Sequence, residues 1–233
     1  MTISGLQKTT LIDYPEKIAC TVFTHGCNFR CPFCHNPELV TKPPKEDEVI
    51  SEEEFFKFLK NRRYLLEGVV VTGGEPCVNK EIVDFAKKIK EKGFNVKIDT
   101  NGSFPKIIQK LLEEKAVDYI AMDIKSTLEE YEATTGGFNE IQKILESIEL
   151  IKNSNVDYEF RTTVVKGMHT EEIMENMGRF LKGVKSFSLQ NFKYSKSISS
   201  KFSKDNEFSK KELEKFGKIF KKYVENVNIK NIG

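Results

Sequence analysis

No apolar run in this chain approaches the ~18 residues needed to cross a bilayer. Its opening, Met1-Thr2-Ile3-Ser4-Gly5, lacks a basic segment followed by an apolar one, so neither a membrane span nor a secretory leader is expected. An excess of one charge is missing too. The 37 basic and 35 acidic residues leave a net charge of +2, which gives no electrostatic reason to expect a nucleic-acid or membrane partner. Sequence repeats are absent beyond an alternation of strand and helix patterns. Cysteines are few, five in 233 residues, and an odd number cannot form a fully paired disulfide framework. These absences leave a cytoplasmic protein whose chemistry must come from a local constellation of side chains.

What is present is an ordinary globular composition, 39% hydrophobic and 31% charged, long enough for a real core. Short apolar runs at Ile18–Thr24, Gly68–Thr72, Asn95–Thr100, Asp118–Ile124, Asp157–Val165 and Ser186–Phe192 read as strands buried on both faces. Amphipathic helices lie between them. Ser51 and Glu54 make a capping box ahead of Phe55, Phe58 and Leu59. Helical spacing recurs in Ile82–Phe85–Ala86–Ile89, in Ile141–Ile144–Leu145–Ile148, in Ile173–Met177–Phe180–Leu181 and in Leu213–Phe216–Phe220. About six βα units predict an α/β fold: a partial, open (β/α)6 barrel of TIM-like type with a parallel sheet, active at the strands' C-terminal ends. One domain spans residues 1–233, with a core of about residues 16–192 and a tail of loop, helix and short strand over 193–233. Thr41–Glu48, with Pro43-Pro44, reads as a loop, and Ser195–Lys210, rich in Ser and Lys, as a mobile one.

Three of the cysteines, Cys27, Cys31 and Cys34, fall within eight positions as C-x3-C-x2-C, directly after the first predicted strand. Three thiolates on one loop suit three corners of an iron–sulfur cubane, leaving one iron open for a ligand bearing an amine and a carboxylate. The alternative is a zinc-stabilised module without catalysis, its fourth ligand drawn from His35, Cys20 or Cys77. Cys20 lies on a strand and Cys77 follows Glu75-Pro76; both read as buried small residues.

The segment Cys27–Cys34, with Phe33 before its last cysteine, resembles the C-x3-C-x-aromatic-C signature of the radical S-adenosylmethionine superfamily. Thr72-Gly73-Gly74-Glu75-Pro76 is similar to that family's GGEP motif, Asp99-Thr100-Asn101-Gly102 to its D-T-N-G, and Asp123-Ile124-Lys125 to the D-x-K of glycyl-radical-enzyme activases. The resemblance implies a [4Fe–4S] cluster on Cys27, Cys31 and Cys34, and S-adenosylmethionine as co-substrate. Phe33 would lie near the adenine, and Gly73, Gly74, Glu75 and Pro76 near the methionine amine. His35, Asp99, Asn101, Lys125, Arg161 and Gln190 complete the candidate cofactor-binding residues. Asp99, Thr100 and Asp123 are candidate ligands of Na⁺ or K⁺.

The opening Gly5–Pro15, ending Asp13-Tyr14-Pro15, resembles the anaerobic ribonucleoside-triphosphate reductase activating proteins, which continue with Gly where this chain has Glu16. The implied reaction is reductive cleavage of S-adenosylmethionine to a 5′-deoxyadenosyl radical, which makes a glycyl radical on a partner enzyme. The partners implied are that reductase and an electron donor such as flavodoxin or ferredoxin. A radical enzyme acting on a small molecule of deazapurine or pterin type shares the same motifs and stays open. No acid–base dyad is evident, and none is required when the cofactors carry the chemistry.

Overall fold

The computed structural model describes residues 1–44 and 48–230. They gather into two compact units interleaved along the chain. Of these described residues, the first takes those within Met1–Asn28, Glu38–Ala121 and Lys143–Asp157; the second takes Phe29–Pro37, Met122–Gln142 and those from Tyr158 to Lys230.

The first unit opens with β1 (Ile3–Thr10), antiparallel to β2 (Ala19–Thr24), with Ile3 opposite Thr24 and Thr10 opposite Ala19. Then β3 (Gly68–Gly73) and β4 (Asn95–Thr100) add in parallel, Ala19 facing Gly68 and Gly68 facing Asn95. Val69, Val70 and Val71 are all fully buried, as a strand covered on both faces requires. Its helices include α1 (Pro37–Thr41), α2 (Glu52–Asn61), α3 (Ile82–Glu91) and α4 (Pro105–Glu113). The Ser51–Glu54 capping box forms in full at the head of α2. Phe55 of α2 then meets Phe85 of α3, ring centroids 5.3 Å apart.

β5 (Tyr119–Asp123) begins in the first unit and ends in the second. The second unit continues with α5 (Tyr131–Thr135). The helix α6 (Ile141–Lys152) returns the chain to the first unit. Next come β6 (Asp157–Val164), α7 (Glu171–Phe180), β7 (Ser186–Asn191), α8 (Lys210–Phe220) and β8 (Asn226–Lys230). Here β6, β7 and β8 pair in parallel, Phe160 against Phe187 and Phe187 against Val227. Phe187 also stacks on Phe220 of α8 at 4.1 Å.

The expected α/β class with a parallel-dominated sheet is what the chain adopts, and strand order follows chain order within each unit. Four elements went unread in the sequence: β1, α4 and the five-residue helices α1 and α5. β1 has only its ends buried, with Gln7, Lys8 and Thr9 exposed, so it carries no apolar period; pairing with β2 makes it a strand. α4 was legible, with Pro105 in its first turn and Ile108 and Leu111 buried. Ser195–Lys210 is less loose than its composition suggests. A 3₁₀ turn at Lys204–Asn206, capped by Ser203, interrupts it, and the side chain of Asn206 donates to the Lys166 carbonyl at 2.9 Å. Of the expected loop Thr41–Glu48, residues 45–47 lie outside the described residues, and Thr41 closes α1. No helix among the described residues is long and apolar enough to cross a membrane.

Candidate active site

The motif residues follow the C-terminal ends of their strands: Cys27 after β2, Glu75 after β3, Asn101 after β4 and Lys125 after β5. In the first unit the two glycines of Gly73-Gly74 have a steric reason to be glycine. Gly73 has φ 116°, and a Cβ there would lie 2.4 Å from the Thr24 nitrogen; one on Gly74 would lie 2.0 Å from the Gly26 carbonyl oxygen. The Gly74 N–H donates to the Thr24 carbonyl at 3.0 Å and the Glu75 N–H to the Gly26 carbonyl at 2.8 Å. The glycines therefore bring the end of β3 onto the backbone that leads into the cysteines, a closer approach than any side chain permits.

Glu75 is 1% exposed. Its Oε1 accepts from the Thr100 hydroxyl at 2.7 Å and the Cys77 N–H at 3.0 Å, and its Oε2 from the Asn101 N–H at 2.6 Å. Burial pushes its pKa up, against the pull of those donors. Asn101 extends the tie: its side-chain N–H group donates to the side-chain Oδ1 of Asn28 at 3.0 Å and toward the Cys27 Sγ at 3.9 Å. Asn28 in turn donates to the Ser103 hydroxyl at 2.9 Å. Pro76 opens a short 3₁₀ turn, and Cys77 within it is buried with its thiol pKa pushed well up by that burial. Lys97, 1% exposed, makes an ion pair with Asp99, two residues along the same strand.

In the second unit the Cys34 N–H donates to the Cys31 carbonyl at 3.0 Å, closing a tight turn between these cysteines. Burial pushes the Cys31 thiol up to about 11, with Lys125 drawing it the other way. Phe29 packs on Phe138 at 4.7 Å, and the Arg30 N–H donates to the Thr135 carbonyl at 2.8 Å. Phe33 meets Phe202 edge-on at 6.4 Å, and the Ser199 N–H donates to the Pro32 carbonyl at 2.9 Å. His35 stacks on Phe192 at 5.0 Å with the rings 16° from parallel. Among the described residues, its Nε2 is buried without a hydrogen-bond partner.

Asp123 collects two cations. Arg161 Nε donates to Oδ1 at 2.6 Å and Lys125 Nζ to Oδ2 at 3.0 Å. Burial alone would raise the Asp123 pKa, but these two hold it well below the usual carboxylate range. Lys125 is raised by Asp123 against the opposite effect of burial. Thr170 caps α7. The Nδ1 of His169, the residue before it, accepts the Val165 N–H at 3.0 Å, so Nε2 carries the proton and donates to the Lys125 carbonyl at 3.0 Å. Gln190 lies on β7, in register with Thr163 of β6 and Lys230 of β8.

Asn28, Ser103, His169 and Phe202 are the contributors that the motifs did not flag. Two of them, Asn28 and Ser103, sit beside flagged residues, whereas His169 and Phe202 had no signal in sequence. The three candidate cation ligands each have partners already: Asp99 has Lys97, Thr100 has Glu75, and Asp123 has Arg161 and Lys125. Among the described residues, no three His, Cys, Asp or Glu side chains converge on one point where a metal ion would sit.

Residues 21–180 match the family model of the radical SAM superfamily. A candidate glycyl-radical enzyme activating enzyme of Methanocaldococcus jannaschii is 34% identical, covering 99% of this chain and 96% of its own. The pyruvate formate-lyase-activating enzyme of Clostridium pasteurianum is 32% identical over 63% of each. Among solved structures, Streptococcus suis SuiB superposes with a TM-score of 0.70 at 14% identity, covering 91% of this chain and 48% of that one. A non-catalytic zinc module is thereby set aside. With its family model matched over most of its length, this chain belongs to the radical SAM superfamily and is an enzyme whose family works with a [4Fe–4S] cluster and S-adenosylmethionine.

Proposed function

We propose that this chain activates a glycyl radical enzyme, and specifically an anaerobic ribonucleoside-triphosphate reductase, in the cytoplasm. The observation that carries the reading is the end-to-end match to a candidate activating enzyme of almost the same length. The resemblance of Gly5–Pro15 narrows it to the reductase.

The donor set fits a cubane better than a single ion. Structural zinc takes four ligands, typically in C-x2–4-C pairs, whereas this loop offers three closely spaced thiolates, each able to hold a separate iron of a cubane. Cys27, Cys31 and Cys34 would hold it, with a thiol as reluctant to ionise as Cys31 deprotonated by the metal itself. Bound there, a reduced cluster would supply the one-electron chemistry for cleaving S-adenosylmethionine to methionine and a 5′-deoxyadenosyl radical, which would be the hydrogen-abstracting agent toward the partner's glycine. The chain's own residues fix where that happens. Gly73, Gly74 and Glu75 seat the β3 end on the backbone before Cys27, and Asn101 anchors Asn28 beside it. Lys125 and Arg161 are held in place through Asp123. The unpartnered Nε2 of His35 supports its place among the cofactor-binding groups, as does the aromatic wall around Phe33 for the adenine. Pro76 and Gln190 are the remaining proposed cofactor-binding residues. Na⁺ or K⁺ on Asp99, Thr100 and Asp123 would compete with the lysines and arginine already paired there. Flavodoxin or ferredoxin is the proposed electron donor.

The test is anaerobic reconstitution with iron and sulfide, reduction, and addition of S-adenosylmethionine with the candidate reductase. We expect 5′-deoxyadenosine together with a glycyl-radical electron paramagnetic resonance signal on the reductase, and both lost in Cys31→Ala. Cleavage without a radical on any glycyl radical enzyme, but with turnover of a deazapurine or pterin precursor, would overturn the assignment in favour of a small-molecule substrate.

A further inference from the structure

Most of the large apolar side chains left exposed belong to one end of the first unit. Leu11 is 72% exposed, Ile12 86%, Ile18 42%, Tyr64 84% and Leu65 59%. Topology brings them together. Leu11 and Ile12 follow Thr10, which faces Ala19; Ile18 precedes Ala19, which faces Gly68; Tyr64 and Leu65 come just before Gly68. The Ile18 carbonyl accepts the Glu67 N–H at 2.8 Å, so the three strand ends are laced side by side, spanning roughly 10 Å at the usual strand spacing.

The presentation is built. Thr10 Oγ1 accepts the Ile12 and Asp13 N–H groups at 3.4 and 3.3 Å, and the Asp13 carboxylate takes the Thr21 hydroxyl at 2.7 Å. Tyr14 is buried beneath, against Gly68 and Tyr119. This turn sends one aromatic inward and two aliphatic side chains outward. At those exposures the five residues show roughly 700 Å2 of surface, backbone and the tyrosine hydroxyl included, close to the ~800 Å2 per partner of a stable interface. The rim carries both signs, Glu16 and Glu67 with Lys17, Arg62 and Arg63. Mixed charge suits a copy of the same surface, because a two-fold contact requires a patch to complement itself. β2 separates this end from Cys27 by its whole length, ~20 Å at the rise of a strand, so a contact here leaves the motif end uncovered.

We propose that this face, Leu11, Ile12, Ile18, Tyr64 and Leu65, is the two-fold interface of a homodimer. The inference is independent of which enzyme the chain activates. Sedimentation velocity of the full chain, as isolated and after anaerobic reconstitution, tests it across micromolar concentrations. The wild-type chain should sediment as a dimer. Ile12→Glu and Leu65→Glu should each raise the dimer dissociation constant about tenfold or more, without lowering the melting temperature, since both side chains stand in solvent. Tyr194→Glu, an exposed aromatic on the second unit, should leave the dimer intact. A wild-type chain that is monomeric throughout overturns the proposal, whether the face stays bare or takes another protein. So does a dimer indifferent to both charged substitutions.

Discussion

At the scale of single residues, two backbone positions show what the fold demands of the chain. Glu16 has φ 61°, the left-handed region that glycine enters freely and other residues at a cost of ~1–2 kcal/mol. The related activating proteins carry Gly there, so this chain keeps the turn and bears its strain. Glu16→Gly should stabilise the protein by about 0.5–1 kcal/mol, the relieved strain less the extra unfolded-state entropy of glycine; a denaturant midpoint that falls would contradict this. Gly74 makes the opposite case. Its missing Cβ leaves room for the Gly26 carbonyl, and Gly74→Ala should cost more than ~2 kcal/mol and displace the start of the cysteine loop. Iron bound per chain after reconstitution would then drop, while a variant that loads normally would show that the loop yields.

Among the elements, the segment between β7 and α8 departs most from its composition. Polar and lysine-rich, it nevertheless delivers Phe202 to Phe33 and to Phe192, 5.8 Å away, and a backbone hydrogen bond to Pro32. Phe202→Ala should cost about 1–3 kcal/mol, less than a fully buried phenylalanine, and should speed amide exchange at Ser199 well before α8 is affected. Equal acceleration in both would mean that Phe202 is ordinary core. The helix α8 has its own acid sensitivity. The Ser209 hydroxyl and N–H and the Lys166 ammonium donate to Glu212 and lower its pKa to about 2. A depressed carboxylate stabilises the fold above its unfolded value and loses that contribution as pH falls toward the folded one. Exchange in the first turn of α8 should therefore quicken between about pH 4.3 and 2, and Glu212→Gln should remove the dependence.

For the whole molecule, the buried His169 contributes to the acid side of stability. His169 is 3% exposed, and burial lowers its pKa. A depressed imidazole is neutral in the fold, so unfolding takes up a proton once pH drops below ~6.5. Its stabilising contribution is full above that value and declines below it. His169→Gln keeps an acceptor for the Val165 N–H and a donor for the Lys125 carbonyl, and should flatten melting temperature against pH below about 6.5. An unchanged slope would place the sensitivity elsewhere. Each unit is assembled from three separate chain segments, so no single cut isolates either one.

By itself the sequence determined the chemistry. C-x3-C-x2-C, Gly73-Gly74-Glu75-Pro76 and Asp99-Thr100-Asn101-Gly102 are local patterns, and local patterns survive without knowledge of the fold. It also determined six strands nearly to the residue, because β-branched runs buried on both faces have no polar competitor. Only the tertiary structure decided that β1 is a strand, that Gly73 and Gly74 are steric requirements of the cysteine loop, and that Glu75 lies inside a cage of donors. It also decided that Asp123 belongs to Arg161 and Lys125, and that His169 and Phe202 support the site. These are contacts between residues far apart in the chain, set by strand register and by which backbone groups remain to be satisfied after burial. Neither is written in any one segment.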